Sequence, residues 1–170
     1  MELIDWDNKN WKQKENGDFL FDLSNITAKT FDTTAQKWAL VIANARNNPW
    51  DRSGGTKKNQ VRNFYDKVLE LYEKAININD AEFEEKVLPF IKMLNSKVIY
   101  ASNKDNGKAN KAFVIFMQEA LKQINNKKSF INFKYLFEAI IGFYQEENPK
   151  KRVIFLKESA IAQKNNKGRR

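Results

Sequence analysis

Apolar residues recur along this 170-residue chain at the spacing of helices that each bury one face. Trp38, Val41, Ile42 and Ala45 fall at i, i+3, i+4 and i+7 and predict a helix over 34–46. Thr33 or Thr34 is placed to cap it, and Asn47-Asn48-Pro49 to end it. The loop Trp50-Asp51-Arg52-Ser53-Gly54-Gly55 follows, and Thr56 is the expected cap of a helix over 57–76. Its apolar set is Val61, Phe64, Tyr65, Val68, Leu69, Tyr72 and Ala75. Asn77-Ile78-Asn79-Asp80 interrupts the pattern, with Asp80 as cap of a short turn. Pro89 suits the first position of a helix to about Ser102 that turns Phe90, Ile91, Leu94, Val98 and Ala101 inward. Gly107 closes the polar loop after it. A helix over 108–125 carries Ala112, Phe113, Phe116, Met117, Ala120, Leu121 and Ile124. Ser129 is the expected cap of another over 130–147, with Phe133, Leu136, Phe137, Ile140, Ile141 and Tyr144, ended by Asn148-Pro149. A last helix is expected over 151–163, from Val153, Ile154, Leu156 and Ile161. Short polar loops between amphipathic helices predict an all-α, compact bundle of five to six helices. No period of 20–50 residues repeats, so a solenoid is not expected. The bundle is assigned to 34–163 and a flexible basic tail to 164–170. Segment 1–33 stays open, because Phe19-Leu20-Phe21-Asp22-Leu23 reads equally as a strand, a docking segment or a helix start.

Composition narrows the chemistry. The chain has no Cys and no His. Disulfides, thiolate nucleophiles, Cys-ligated zinc and imidazole bases are therefore excluded. A catalyst built here would need carboxylates, Lys, Tyr, or a hard metal held by oxygen. With 42% hydrophobic and 30% charged residues the chain is globular, and 6 Gly with 3 Pro disfavour a turn-rich β protein. The acidic start Met1-Glu2-Leu3-Ile4-Asp5-Trp6-Asp7 is unlike a signal peptide. The longest uncharged run, Trp38 to Ala45, is far below the roughly 20 residues that span a bilayer. A cytoplasmic protein without membrane contact is expected, in which the sequon Asn25-Ile26-Thr27 carries no sugar.

Charge adds a direction. Net charge is +9, and residues 111–170 hold 13 basic against 5 acidic groups. Such a balance points to an anionic partner, commonly nucleic acid. The other signals have plain structural explanations. Asp5 and Asp7 are spaced like a metal pair, but flanking Trp6 and Trp11 read as packing anchors around a solvated acid cluster, and no metal or cofactor is expected. Glu82, Glu84 and Glu85 suit a helix start, where the dipole favours negative charge. Ser53-Gly54-Gly55-Thr56-Lys57 lacks the spacing of a nucleotide-binding loop, though amides at a helix start beside lysines can hold one backbone phosphate. Lys58 and Arg62 form an i, i+4 pair on the flank of the 57–76 helix. Lys97, Tyr100 and Lys104 make a narrow stripe in which a Tyr between cations can stack on a base or donate to a phosphate. An ordinary solvated face is the alternative.

Three runs resemble a known family. Lys57-Lys58-Asn59-Gln60-Val61-Arg62-Asn63-Phe64-Tyr65 is similar to the Q-[IV]-R-x-[FY]-Y signature of the small subunit of type III-A CRISPR Csm complexes. Lys92 to Ala101 matches a K-x-x-x-x-K-x-x-Y-A pattern, and Phe137 to Phe143 an F-E-A-x-x-x-[FY] ending, in the same order. Where the family often carries a Gly-Arg element after Tyr-Ala, this chain has Ser102-Asn103-Lys104. The resemblance covers about 57–147. It implies a helical, non-enzymatic subunit that lines the target-RNA channel of a crRNA-containing ribonucleoprotein. Other Csm subunits and further copies of the chain would be its partners. By position it makes Lys57, Lys58, Arg62, Lys92, Lys97 and Lys104 candidate RNA contacts, while Gln60 and Tyr100 fit the motif in either a binding or a structural role. Two other readings remain: the small subunit of a type III-B Cmr complex, and a helical adaptor for a protein partner with Trp6, Trp11 and Trp50 as hot spots.

Overall fold

The fold rests on one face of each helix. In a computed structural model describing residues 2–4, 17–46, 54–103, 108–145 and 154–156, six α-helices pack around a shared apolar core. They are α1 (Ala35–Asn44), α2 (Lys58–Ile76), α3 (Asp80–Lys86), α4 (Leu88–Ser102), α5 (Lys111–Gln123) and α6 (Lys127–Phe143). Helix α6 packs on α1 and α2, and α4 packs on α5. Every apolar residue assigned to the core face of α5 is buried. Rings fill the centre: Trp38 and Phe116 lie 5.5 Å apart, Phe116 and Phe137 5.7 Å, and Phe64 and Phe113 5.2 Å. Tilted and edge-on pairs of this kind suit the ring quadrupoles and add to their burial.

Several helix starts differ from expectation, each for a hydrogen-bonding reason. Helix α3 is capped by Asn79, whose side chain accepts from the Glu82 amide at 2.9 Å, and Asp80 is its first residue. Helix α6 begins three residues early, capped by Asn126, and Ser129 supplies the return half of the capping box. Helix α1 has no Thr side-chain cap. It continues a π-helical turn, Thr30–Thr34, and the Thr34 hydroxyl donates to the Leu20 carbonyl instead. Thr56 caps nothing on α2, because it is buried and bonded elsewhere. On α4, Phe90 is 55% exposed rather than inward, while Leu71 on α2 and Phe130 on α6 join the core.

Segment 17–34 is a docking strap. After a short 3-10 turn, Gly17–Phe19, Phe19 and Leu23 are buried. The Trp38 indole donates to the Phe19 carbonyl at 2.9 Å. The Gln123 side chain satisfies both the Phe21 carbonyl (3.1 Å) and the Leu23 amide (2.8 Å), as a neighbouring strand would. Asn132 donates to the Leu23 carbonyl at 2.9 Å.

The helix expected over 151–163 is overturned by a strand. Three short strands, β1 (Glu2–Ile4), β2 (Ala45–Arg46) and β3 (Ile154–Leu156), form a parallel sheet with β3 in the middle. A branched and aromatic run such as Val153-Ile154-Phe155 suits a strand better than a helix. Trp6, Trp11, Trp50, Gly107 and the tail 164–170 lie outside the described residues.

Candidate nucleic-acid interface

Asn110 organises one end of the bundle. Buried at 3% exposure, it caps α5 by accepting from the Phe113 amide at 3.0 Å. Its side-chain amide donates to the carbonyls of Val41 (3.0 Å), Ile42 (3.2 Å) and Ala45 (2.9 Å) at the end of α1. The Thr56 hydroxyl donates to the Asn110 oxygen at 3.0 Å and accepts from the Asn110 backbone amide at 2.9 Å. The Thr56 amide reaches the Ile42 carbonyl at 2.7 Å, and the Tyr144 hydroxyl donates to the Thr56 carbonyl. Amides of Lys108 and Ala109 return to the Ala101 carbonyl at the end of α4. Two glycines permit the approach. Gly54 has φ +73°, and a Cβ on Gly55 would stand 2.1 Å from the backbone of Ala43.

This knot gathers the starts of α2 and α5 with the ends of α1, α4 and α6. It also gathers charge. Lys57, Lys58 and Arg62 at the start of α2 are exposed, as are Lys97 and Tyr100 toward the end of α4 and Lys108 before α5. Arg46 and Lys111, partly exposed, belong to the same end. The described segments 35–46, 54–65, 87–103 and 108–118 contain no Asp or Glu. Described acidic residues lie elsewhere, four of them on α3 (Asp80, Glu82, Glu84 and Glu85) and others along α2 (Asp66, Glu70 and Glu73).

Other cations bond to groups of the fold itself. The Lys92 ammonium donates to the Leu121 carbonyl in the last turn of α5, and burial lowers its pKa. Lys127 donates to the carbonyls of Ile76 (3.2 Å) and Ile78 (2.8 Å) where α2 ends. Lys134, 11% exposed in its side chain, pairs with Glu138 at 2.6 Å and lies over the rings of Tyr72 and Tyr135. Burial works against that ammonium, but the hydrogen bond to Glu138 and the nearby Tyr65 outweigh it and raise its pKa.

Of the residues singled out from the sequence, Lys57, Lys58, Arg62, Lys97 and Tyr100 share this end, whose described segments carry no Asp or Glu. Lys92 is turned to α5, and Lys104 lies outside the described residues. Gln60 is half-buried on α2. Sequence reasoning passed over Arg46, Lys108 and Lys111. Their positive charge was visible, but their meeting depends on Asn110 and Thr56, 54 residues apart. Asp5 and Asp7 lie outside the described residues, and among the described residues no cluster of three metal-ligating side chains occurs. No helix among them is long and apolar enough to cross a membrane.

Comparison with known proteins adds one finding. The family described as Csm2 Type III-A matches the chain over residues 27–164, well over half its length. No curated protein and no solved structure matches it.

Proposed function

Since the chain belongs to the Csm2 type III-A family, we propose that it is a non-catalytic small subunit of a type III-A CRISPR RNA-guided interference complex. It lines the channel and contacts target RNA, in the crRNA–target duplex, through the phosphate backbone, without reading sequence. The observation that carries this reading is the meeting of five helix ends at a surface with cations and no carboxylate among its described segments. Guide pairing reads the sequence in RNA-guided systems, so a lining subunit needs dispersed cations on a rigid frame rather than a base-reading pocket. Lys57, Lys58, Arg62 and Lys97 are the assigned phosphate contacts, joined by Arg46, Lys108 and Lys111. Lys92 contributes through the packing of α5. Its partners are the crRNA-bearing ribonucleoprotein, the other Csm subunits and further copies of itself. Each copy binds weakly, and repetition along one RNA supplies the strength. No cofactor is required.

The test is charge reversal in the assembled complex. Arg62→Glu and Lys97→Glu should each weaken retention of target RNA while far-UV circular dichroism keeps its helical signature. If both variants hold RNA as tightly as the parent, these residues do not contact it.

A further inference from the structure

Phe90, Met93, Lys97 and Tyr100 stand at i, i+3, i+7 and i+10 on α4. At about 100° per residue they share a wedge of about 80°. Phe90 is 55% exposed, Met93 47% and Tyr100 67%, and Lys97 is exposed among them. Single apolar residues on a surface are ordinary, but a row of three is not. The core demanded none of it, because Ile91, Leu94, Val98 and Ala101 already supply the buried face.

The charge of the row selects its occupant. Helix α4 contains two Lys and no Asp or Glu, and Lys92 is turned to the Leu121 carbonyl on another flank. Lys97 is thus the charge within the stripe. The stripe rises about 15 Å from Phe90 to Tyr100, and its Tyr100 end lies toward the end of the bundle where the described segments carry cations and no Asp or Glu. An apolar protein surface laid here would need an acid for Lys97. A single polynucleotide strand brings flat bases and a phosphate together.

We infer that this stripe is a stacking platform for unpaired nucleobases. Phe90 and Tyr100 take base faces, Met93 fills the space between, and Lys97 neutralises a linking phosphate. The inference rests on the RNA-contact reading above and adds to it: beside the guide-paired stretch held by its phosphates, the platform takes an unpaired stretch, and it prefers single-stranded RNA to duplex, whose paired bases offer no open faces.

The full chain is titrated into a fluorescent 12-nucleotide oligouridylate and into a hairpin duplex of similar charge, by anisotropy at low salt. Phe90→Leu and Tyr100→Leu keep good helix formers at exposed sites. Each should weaken single-strand binding about five-fold or more, the lower range for loss of a base–aromatic stack, and leave duplex binding unchanged. A 5-iodouridine version of the oligonucleotide should photocrosslink to Phe90 or Tyr100. Unchanged single-strand affinity in both variants, with Arg62→Glu still weakening both RNAs, overturns the platform and leaves the phosphate reading standing. Binding of neither RNA by the parent chain overturns the platform, and overturns the phosphate reading as well where Arg62→Glu and Lys97→Glu leave RNA retention by the assembled complex unchanged. Intact RNA binding with loss of protein subunits on copurification makes the stripe a protein-docking face and also overturns the platform.

Discussion

Asn110 spends its side chain on three carbonyls, one backbone amide and one hydroxyl. Removing it leaves those buried groups without partners, and each such group costs about 1–3 kcal/mol. Asn110→Ala is therefore expected to destabilise the fold by about 3 kcal/mol or more, read as a lowered urea midpoint with the slope unchanged. The parent midpoint in that variant would mean that water replaces the amide. Nothing in the sequence marked Asn110, which sits in a polar stretch like many others. Phe90 erred the other way. Beside Ile91 it reads as core, but its direction places it on the flank where no neighbouring helix arrives. Lys92 is the surface cation it looked to be, and only the position of α5 lets its ammonium reach a carbonyl. A residue's type states what burial would be worth; a neighbour decides whether burial occurs.

Elements with a strong apolar face were legible. The face of α5 is complete in the sequence, because seven apolar positions at helical spacing admit one solution. Ends were less legible, because Asn79 with Asp80 and Asn126 with Ser129 each offer two capping residues and the choice rests on local geometry. Strand β3 was read as a helix since its short run carries too few turns to show a period, and its pairing partners lie far away in the chain. The capping of α3 gives an element-scale prediction. The Glu82 carboxylate is held below its ordinary 4.5 by the hydrogen bond from Lys86, then by the Asn79 amide and the Lys86 charge. A depressed carboxylate pKa stabilises the folded state above the unfolded value and loses that contribution as pH falls through the folded one. Glu82→Gln keeps the capping geometry without the titration. The parent's stability relative to Glu82→Gln should be constant from about pH 6 to 8 and decline below about 4.5, followed by thermal melts at successive pH values. Parallel curves down to pH 3 would show that the carboxylate contributes nothing as an anion.

Across the whole molecule, the bundle and the basic excess were legible, while the gathering of charge at one end was not. Helical periods specify faces, but which ends meet is set by bonds such as Thr56 to Asn110 and Tyr144 to Thr56, between residues far apart in sequence. A surface that holds phosphates by cations alone has a measurable signature. The logarithm of RNA affinity should fall with the logarithm of salt by about 0.7 per phosphate neutralised on a single strand, and Arg62→Glu should reduce that slope by about 0.7. A slope near zero would assign the affinity to uncharged contacts. The bond from Tyr144 to Thr56 also fixes an order in time. It joins residues 88 apart, so the start of α2 leaves synthesis long before the last residue that bonds to it. The nascent chain therefore carries Lys57 and Lys58 on a segment held first by Ile42 and then by Asn110, and the basic end becomes a single surface only once Tyr144 has emerged.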